Sequence, residues 1–223
     1  MTTISKTQVD QLGDRLRKAD ISEDDLRLLD AYRESFAEAY EEVVGTIRHA
    51  ANIEPTGRPA KTRFSIIEKL RREKTMQLSR MQDVAGCRIV VSDIQRQDQV
   101  VERLKHAFAK VKVTDRRRKP SHGYRAVHLI VTARNKSVEI QVRTELQDLW
   151  AQQSEVLADR VDAKIKYGGG NPAIQVILSL YSGYVANIET VEEKRGSDSR
   201  KAQLRQSLDE LARIFETLPR RVN

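Results

Sequence analysis

Residues 125–144, RAVHLIVTARNKSVEIQVRT, contain two runs rich in β-branched residues on either side of a short polar break. The runs are Arg125–Ala133 and Ser137–Thr144, and the break Arg134-Asn135-Lys136 has the length of a hairpin loop. From Val138 to Arg143 apolar and polar residues alternate, and successive side chains of a strand point to opposite faces. These residues therefore predict a β-hairpin with one apolar face and one polar face.

Helices are expected on the N-terminal side of this hairpin. Residues 22–51 contain no proline and place apolar side chains three and four residues apart, which is typical of an amphipathic helix. Ser22 supplies an N-cap in front of three acidic residues. The loop 52–59 contains two prolines and a glycine, and Ser65–Leu70 then opens a second, shorter helix. The entrance of this second helix is a basic loop.

A strand, a helix and a short strand are expected between the second helix and the hairpin. Gly86–Val91, GCRIVV, is rich in β-branched residues and predicts a strand. Gln95–Val111 returns to helical spacing, and Val111–Thr114 is a short candidate strand. This arrangement indicates a strand followed by a helix long enough to cross back over a sheet.

The chain after the hairpin is expected to be helical from Glu145 onward, apart from Tyr167–Pro172. Two C-terminal helices are predicted at Ala173–Val191 and Ser199–Leu218, the second after the polar break Gly196-Ser197-Asp198-Ser199. The order of all these elements implies an α+β fold, with a small mixed β-sheet flanked by helices.

The composition excludes several classes of protein. The 223 residues include 40 Lys and Arg against 32 Asp and Glu, a net charge of +8, and 39% are apolar, unlike collagen-like or wholly disordered chains. One cysteine, Cys87, and four histidines predict neither a disulfide scaffold nor a zinc site, and we expect Cys87 to be buried. No run approaches the ~18 apolar residues of a membrane helix, and the N-terminus lacks the apolar core of a signal peptide, so we expect a cytoplasmic protein. The positive charge indicates a polyanionic partner, nucleic acid or nucleotide, or a solvated basic surface.

A basic cluster surrounds the start of the second helix. Ser65, Lys69 and Arg72 are spaced so that they share one helical face, and Arg58 and Lys61 lie in the preceding loop. Cations, a hydroxyl and a helix N-terminus aimed at one place suit a polyphosphate. The alternative is a solvated basic face.

Two acidic residues accompany the expected strands. Asp83 comes shortly before the strand Gly86–Val91, which contains Arg88, and Glu139 lies on the polar face of the hairpin. Carboxylates held near a cationic patch could bind Mg²⁺ against phosphates. Each acid could instead be an ordinary surface or ion-paired residue.

The loop in front of the hairpin combines positive charge with an aromatic ring. Arg116-Arg117-Arg118-Lys119 is followed by His122-Gly123-Tyr124, and Gly123 permits a backbone turn that other residues resist. A ring beside clustered cations can stack on a base while the cations hold its phosphates. Tyr124 and His128 could instead be half-buried strand residues.

Six motifs follow one another along residues 45–165. They are Gly57-Arg58-Pro59; Lys61 with Ser65-Ile66, Lys69 and Arg72; Asp83-Val84-Ala85-Gly86-Cys87-Arg88-Ile89; His122-Gly123-Tyr124-Arg125-Ala126-Val127-His128; Glu139-Ile140-Gln141-Val142-Arg143-Thr144; and Trp150-Ala151. In this order they resemble the synthetase domain of the RelA/SpoT family, in particular its small single-domain alarmone synthetases. The resemblance implies one nucleotidyltransferase-like synthetase domain over residues 1–223, with an N-terminal helix at 22–51, a catalytic core at 52–165 and C-terminal helices at 173–218.

The resemblance also implies an activity: Mg²⁺-dependent transfer of the β,γ-pyrophosphate of ATP to the 3′-hydroxyl of GDP or GTP, which makes (p)ppGpp. ATP would be bound by Arg58, Lys61, Ser65, Lys69, Arg72 and Arg88, with Arg58 and Arg88 on the adenine. Asp83 and Glu139 would be the catalytic and metal-binding acids, and Glu139 could also take the proton from the attacking hydroxyl. The acceptor would be bound by Tyr124, stacked on its base, with His128, Lys119, His122 and Gln141 nearby.

Departures from the family pattern leave the acceptor open. Arg58 lies one residue too far from Lys61, Lys119-Pro120 is reversed, His122 stands in the place of an asparagine, and Ser154-Glu155 replaces a Glu-His pair. The loop before Gly123 is also unusually basic, and cations beside the acceptor would suit the phosphates of an RNA end. We therefore keep two alternatives: a toxic synthetase that pyrophosphorylates the tRNA 3′ end or an adenine nucleotide, and an inactive nucleotide- or RNA-binding module. Relatives of this size use their C-terminal helices to assemble, so a homo-oligomer, for example a homotetramer, is expected.

Overall fold

The computed structural model describes residues 4–195 and 198–217. The strands are β1 (Thr56–Arg58), β2 (Ala85–Val91), β3 (Val111–Asp115), β4 (Val127–Ala133) and β5 (Lys136–Thr144). The α-helices are α1 (Lys6–Leu16), α2 (Glu23–Glu34), α3 (Ala37–Ala51), α4 (Arg63–Arg72), α5 (Ile94–Ala107), α6 (Glu145–Arg160), α7 (Pro172–Arg195) and α8 (Asp198–Thr217). None of the described helices is long and apolar enough to cross a membrane.

The strands form one five-stranded sheet in the order β1-β2-β5-β4-β3. β1 pairs antiparallel with β2, so that Arg58 lies opposite Gly86. β4 and β5 are joined by Arg134 and Asn135, whose φ angles of 47° and 60° suit a two-residue hairpin turn that matches the twist of the strands. The predicted hairpin is confirmed, with Lys136 in the strand instead of the loop. The α+β class, with a small mixed sheet flanked by helices, is confirmed as well.

The helix expected over residues 22–51 is divided into α2 and α3. The hydroxyl of Ser22 caps α2 as predicted, but the helix is interrupted at Phe36. The ring of Phe36 is buried and packs edge-on against Tyr32, with the ring centroids 5.3 Å apart. Because the apolar spacing continues through the interruption, periodicity alone does not reveal it.

Sequence patterns do not predict two short elements. α1 begins with a capping box, in which the side chains of Ser5 and Gln8 bond each other's backbone N–H, and it buries Val9, Leu12 and Leu16. β1 has only three residues, and its sequence TGR lacks the composition of a strand. Its extended conformation therefore depends on pairing with β2.

The other elements differ from expectation only at their ends. The helix predicted to end at Val111 ends at Ala107, and the strand predicted from Arg125 begins at Val127. α7 and α8 correspond to the predicted C-terminal helices. The predicted polar break is Gly196-Ser197-Asp198-Ser199, but Asp198 and Ser199 are already part of α8. Gly196-Ser197 and the predicted helix end at Leu218 lie outside the described residues.

The chain divides into two compact units. The first comprises residues 1–89, 103–112 and 129–141, and the second comprises residues 90–102, 113–128 and 142–223. The first buries helix and strand residues, including Leu12, Ile47, Ile66, Leu70 and Ile140. The second contains two buried clusters, one of Leu146, Val185, Ile188, Leu204 and Leu208, and one of Trp150, Ala151, Leu157, Ala158, Ile165 and Leu178. The single synthetase domain over residues 1–223 stays a prediction.

Cys87 is buried in the first unit, as expected from the sequence. Burial raises the pKa of its thiol to about 12, with a further contribution from the charge of Glu139. The thiol is therefore protonated at neutral pH and packs as a small apolar side chain.

Candidate active site

Two residues that the resemblance assigns to ATP meet in the first unit at the carboxylate of Asp83, which the resemblance assigns as a catalytic and metal-binding acid. Asp83 accepts hydrogen bonds from the ammonium groups of Lys61 and Lys69, each 2.7 Å from one of its two oxygens. The backbone holds Lys61 in place, because its N–H donates to the carbonyl of Val84 and its carbonyl accepts from Arg33, both at 2.6 Å. Lys69 comes from the last turn of α4. The fold therefore gathers residues from a loop, a helix and the approach to β2.

The two lysines determine the charge of Asp83. Burial alone would raise the pKa of Asp83, but the ammonium groups of Lys61 and Lys69 outweigh burial and lower this pKa to about 2. The side chain of Asp83 is 21% exposed, so solvent screens these interactions only in part. Two ammonium groups against one carboxylate leave a net positive charge, and such a cluster suits an anion.

α4 begins at the basic loop, as predicted. Thr62 caps the helix, its hydroxyl accepting from the N–H of Ser65 and donating to the Ser65 hydroxyl oxygen at 2.8 Å. At the other end, Arg72 lies 3.2 Å from Glu73. Of the three α4 residues proposed for phosphates, Lys69 thus reaches Asp83, whereas Ser65 is bonded to the helix cap and Arg72 lies beside a carboxylate.

Two further arginines of α4, Arg63 and Arg71, stabilise the fold. Arg63 pairs with Asp30, and this guanidinium, together with that of Arg33, lowers the pKa of Asp30 to about 2. Arg71 donates to the carbonyl oxygen of Lys18 at 2.9 Å. These two arginines therefore attach α4 to its neighbours, and neither was assigned to ATP.

Glu139 lies on the central strand β5, which alternates as predicted. Val138 and Ile140 are buried, whereas Glu139 and Gln141 are partly exposed on the other face. The amide of Gln141 donates to a carboxylate oxygen of Glu139 at 2.7 Å and so orients it. Gly86 of β2 lies against this residue, since a Cβ at position 86 would come 3.0 Å from the carbonyl oxygen of Glu139 and 3.6 Å from its Cβ. Glycine at this position leaves the space beside Glu139 open.

The two arginines that the resemblance assigns to adenine lie on paired strands. Arg88 is a half-buried residue of β2, and Arg58 is the last residue of β1. The register places Arg58 opposite Gly86, two residues from Arg88. The side chain of Arg58 lies outside the described part of the structure, so its backbone position is what the fold contributes here.

Tyr124 and His128, the two residues assigned to the acceptor base, lie together in the second unit. The hydroxyl of Tyr124 is 2.9 Å from Nε2 of His128, and the rings meet edge to face with centroids 5.5 Å apart. Arg143 donates to the same hydroxyl at 3.0 Å. Tyr124 is half-buried and packs against the cluster around Trp150. The ring is thus anchored on one side and accessible in part.

Gly123 takes the turn that the sequence predicts. Its φ angle is 88°, and a Cβ at this position would lie 2.6 Å from Cζ2 of Trp150, so a larger residue would be both strained and crowded. His122 also has a positive φ of 52°, and its imidazole lies against Gly168, where an added Cβ would overlap the ring. His122 is exposed and therefore available to a ligand beside this loop contact.

The cations of the basic loop have different surroundings. Arg117 pairs with Asp98 at 2.6 Å and with Asp115 at 2.7 Å. Burial works against its charge, but these carboxylates outweigh burial and raise the pKa of Arg117. Arg118 and Lys119 are exposed. One of the four cations that suggested a polyanion is therefore neutralised within the protein, and Lys119 keeps the exposure that acceptor binding requires.

Sequence reasoning places His128 near Tyr124 but misses the buried ion pair between Arg143 and Asp148, in which Arg143 also donates to the Tyr124 hydroxyl. Arg143 was expected on the exposed polar face of β5, but only 4% of its side chain is exposed, and it pairs with Asp148 of α6 at 2.8 Å. Gln152 donates to the other oxygen of Asp148, also at 2.8 Å. The signal in the sequence is an arginine at the end of a buried strand followed by an acid in the first turns of the next helix.

Mg²⁺ fits the donor set of the first unit only if a substrate supplies further ligands. In residues 4–195 and 198–217 no three His, Cys, Asp or Glu side chains are grouped so that they could hold a metal ion. Mg²⁺ at nucleotide sites commonly takes one or two carboxylates and completes its shell with phosphate oxygens and water. The ionised carboxylate of Asp83 is a suitable ligand once a lysine is displaced, and Glu139 is a second.

Comparison with known proteins identifies a family. A family model described as "Region found in RelA / SpoT proteins" matches residues 57–169, just over half of the chain. Uncharacterised proteins of Mycobacterium bovis (Mb1401) and Mycobacterium tuberculosis (Rv1366) are 36% identical over 134 residues, which are 59% of this chain. The chain spans about half the length of these curated relatives, 49%.

Solved structures resemble the chain over most of its length. Small alarmone synthetase 1 from Bacillus subtilis, bound to its product pppGpp, is 26% identical, with a TM-score of 0.57 over 78% of this chain and 98% of that one. A GTP pyrophosphokinase family protein from Streptococcus pneumoniae, at 24% identity and a TM-score of 0.56 over 82% of this chain and 98% of that one, shares the fold. Together with the family match, these likenesses lead to one conclusion: the chain belongs to the RelA/SpoT family.

Proposed function

We propose that this chain is a pyrophosphokinase that transfers the β,γ-pyrophosphate of ATP to the 3′-hydroxyl of GDP or GTP and so makes (p)ppGpp. The observation that supports it most is the pair of lysines, Lys61 and Lys69, gathered on the ionised carboxylate of Asp83. Cations and an acidic metal ligand at one place are what the triphosphate of a nucleotide requires. The relative from Bacillus subtilis, whose structure contains pppGpp, supports the same activity.

ATP is held in this proposal by residues of the first unit. Lys61, Lys69, Ser65 and Arg72 bind its phosphates, and Arg58 and Arg88 hold the adenine. When bound, Mg²⁺ neutralises charge on the phosphates, with Asp83 and Glu139 as its protein ligands. The lysines that pair with Asp83 contribute positive charge to the same phosphates.

Glu139 is the proposed general base. Its carboxylate accepts the proton of the 3′-hydroxyl as the oxygen attacks the β-phosphorus, and Gln141, 2.7 Å away, keeps the carboxylate in one orientation. The bond to the β-phosphorus forms while the bond between the α-phosphate and the β-phosphorus breaks, so AMP leaves with the electron pair. Phosphoryl-type transfer leaves little covalent work to the protein, so rate enhancement comes from positioning and charge neutralisation.

The acceptor nucleotide is bound in this proposal by residues of the second unit. Tyr124 stacks on the base with His128 beside it, and the exposed side chains of Lys119 and His122 meet the phosphates. GDP and GTP are favoured over a tRNA end because Arg117, one of the four consecutive cations, is neutralised by Asp98 and Asp115. A smaller free charge offers fewer phosphate contacts to an RNA.

Separate incubations with each acceptor test this proposal. The purified chain is given Mg²⁺ and ATP labelled on its β- and γ-phosphates, together with GDP, GTP, ADP, AMP or deacylated tRNA. We expect label on GDP and GTP. Label on tRNA or adenine nucleotides alone would favour the toxic-synthetase alternative, and ATP binding without transfer to any acceptor would favour the inactive module.

We also propose that the chain forms a homo-oligomer, for example a homotetramer. α7 presents an exposed apolar stripe at helical spacing, formed by Val176, Ile177, Leu180 and Tyr184. Contiguous exposed apolar surface of this kind is typical of protein interfaces. Sedimentation equilibrium of the purified chain tests the assembly, and a monomer mass would contradict it.

A further inference from the structure

Side-chain hydrogen bonds connect α6 to the ring of Tyr124. Gln152 donates to Asp148 at 2.8 Å, and Asp148 accepts from Nη1 of Arg143, also at 2.8 Å. Nη2 of Arg143 then donates to the hydroxyl of Tyr124 at 3.0 Å, and this hydroxyl lies 2.9 Å from Nε2 of His128. We name these five residues the tyrosine relay.

Burial makes the central pair of the relay rigid. Only 4% of the Arg143 side chain and 11% of the Asp148 side chain are exposed. A buried charge is very unfavourable unless it is paired, so the carboxylate of Asp148, 2.8 Å away, stabilises the charge and the orientation of Arg143. Burial opposes the charge on Arg143, but Tyr124 and Asp148 outweigh it and raise the pKa of Arg143. The guanidinium is therefore a permanent donor that faces the tyrosine hydroxyl.

Nη1 of Arg143 contacts α6, whereas Nη2 donates to Tyr124, and other contacts also attach α6 to the fold. α6 already has a capping box at Thr144 and Gln147, and Trp150 donates from its indole nitrogen to the carbonyl oxygen of Leu178 at 2.9 Å. Arg143 instead donates to the hydroxyl of the half-buried Tyr124 ring, and its guanidinium carbon lies 5.0 Å from the ring centroid. The backbone turn at Gly123 positions one end of Tyr124, and the relay positions the other.

We propose that Asp148 is a positioning residue for the acceptor nucleotide, which acts through Arg143 to hold the ring of Tyr124 at the angle on which the acceptor base stacks. This inference rests on the proposed function, since it assumes that Tyr124 is the stacking platform. None of the four contacts of the relay includes a residue assigned to ATP. A defect in the relay should therefore weaken the binding of GDP and leave the binding of ATP unchanged.

Asp148→Asn tests the positioning role, because asparagine has the same shape but lacks the charge. Calorimetric titrations with GDP and with ATP, each alone, measure the two dissociation constants independently of turnover. We expect the Kd and KM for GDP to rise about tenfold, since small misplacements of a binding group have effects of this size, and the values for ATP to stay within about twofold. Glu145→Gln is the matched control: it removes one carboxylate from the first turn of the same helix, where Glu145 pairs with Arg205 at the surface. It should change neither constant.

Tyr124→Phe separates positioning from packing. It removes the hydroxyl to which Arg143 donates and keeps the ring. It should therefore also weaken the binding of GDP and leave the binding of ATP unchanged. In the double variant, Asp148→Asn should add little to the effect of Tyr124→Phe, because residues that act along one path are not additive. Additive effects would overturn the relay as the route of action. If Asp148→Asn fails to give the cooperative thermal transition of the wild type, unchanged GDP affinity in Tyr124→Phe would still overturn the inference.

The same titrations distinguish failure of the inference from failure of the proposed function. A wild-type chain that binds GDP and ATP but transfers no label contradicts the pyrophosphokinase proposal, and the variants still test positioning. A wild-type chain with normal transfer, together with an Asp148→Asn variant in which both affinities are unchanged or fall equally, contradicts the positioning role alone.

Discussion

Asp83 lies 2.7 Å from the ammonium group of Lys69, which reaches it from the last turn of α4. Lys61 makes the equivalent contact with the other carboxylate oxygen, so the acid proposed as a metal ligand is held by two cations proposed for phosphates. This arrangement keeps the carboxylate ionised and the two ammonium groups close together. Two positive charges that a triphosphate would need are thus assembled at one place. The two ammonium groups repel each other, and the negative charge of Asp83 offsets this repulsion.

Asp83→Asn should destabilise the fold at neutral pH by about 2 kcal/mol, the free energy that corresponds to lowering the pKa of Asp83 from 3.8 to about 2. Because the folded state lowers this pKa, the stabilisation is complete above about pH 4 and is lost as the pH falls through about 2. Urea unfolding at pH 7 and at pH 3 measures the difference between wild type and variant. It should be larger at pH 7.

Glu54→Gln is a matched control for this measurement. Glu54 also pairs with a cation, Arg48, at 2.6 Å, but both groups are exposed at the surface. Solvent screens such pairs, so this variant should change stability little at either pH. A difference between wild type and Asp83→Asn that is the same at pH 7 and pH 3 would contradict the role of the two lysines.

Glu139→Gln should abolish pyrophosphate transfer while ATP binding persists. Glutamine keeps the size of the side chain but cannot accept the proton of the attacking hydroxyl. The readouts are label transfer to GDP and the Kd for ATP. Gln141→Ala, which removes the hydrogen bond that orients Glu139, should reduce the rate less severely. Transfer at the wild-type rate in Glu139→Gln would remove Glu139 from the mechanism.

The sequence predicts the hairpin and the burial of Cys87 because both depend on local patterns. Alternation identifies the two faces of β5, and a cysteine within a β-branched run is expected to pack inside. β1 depends on contacts with residues far along the chain, and the interruption at Phe36 lies within an apolar spacing that continues unbroken. No local pattern contains that information, since TGR becomes a strand only by pairing with β2.

In the candidate site, too, local sequence patterns predict some features and tertiary contacts determine the others. The motifs locate Asp83, Glu139 and Tyr124, but the partners of these residues are determined by tertiary packing. Lys61 lies 22 residues from Asp83, and the buried position of Arg143 follows from its pairing with Asp148 on the next helix. Periodicity assigns a face to a side chain, whereas the charges that compensate a buried arginine depend on which helix covers the end of the strand.

Gly123→Ala should destabilise the chain and impair use of the acceptor. The positive φ of 88° alone costs a residue with a Cβ about 1–2 kcal/mol, and the added carbon would lie 2.6 Å from Trp150. Displacement of this turn would move Tyr124, so the KM for GDP should rise more than the KM for ATP. Gly183→Ala is the control, because this helical position has open space and alanine there should stabilise by about 0.5–1 kcal/mol. Equal effects on both substrates in Gly123→Ala would speak against the turn as a determinant of acceptor binding.

Glu189→Gln should stabilise the second unit at neutral and alkaline pH. Glu189 is 7% exposed, and burial raises its pKa even though it accepts hydrogen bonds from Thr144 and Gln147. A raised pKa means that the folded state holds a proton more tightly than the unfolded chain, so wild-type stability falls as the pH rises from about 4.5, the ordinary value, through the raised value. Glutamine cannot ionise and avoids this loss.

Thermal unfolding between pH 4 and pH 8 tests this prediction. The melting temperature of Glu189→Gln should rise relative to that of the wild type as the pH rises. The control Glu41→Gln, at an exposed position of α3, should have the melting temperature of the wild type at every pH. A Glu189→Gln variant whose disadvantage grows toward pH 8 would mean that the ionised carboxylate, attracted by the charge of Arg125, stabilises the second unit.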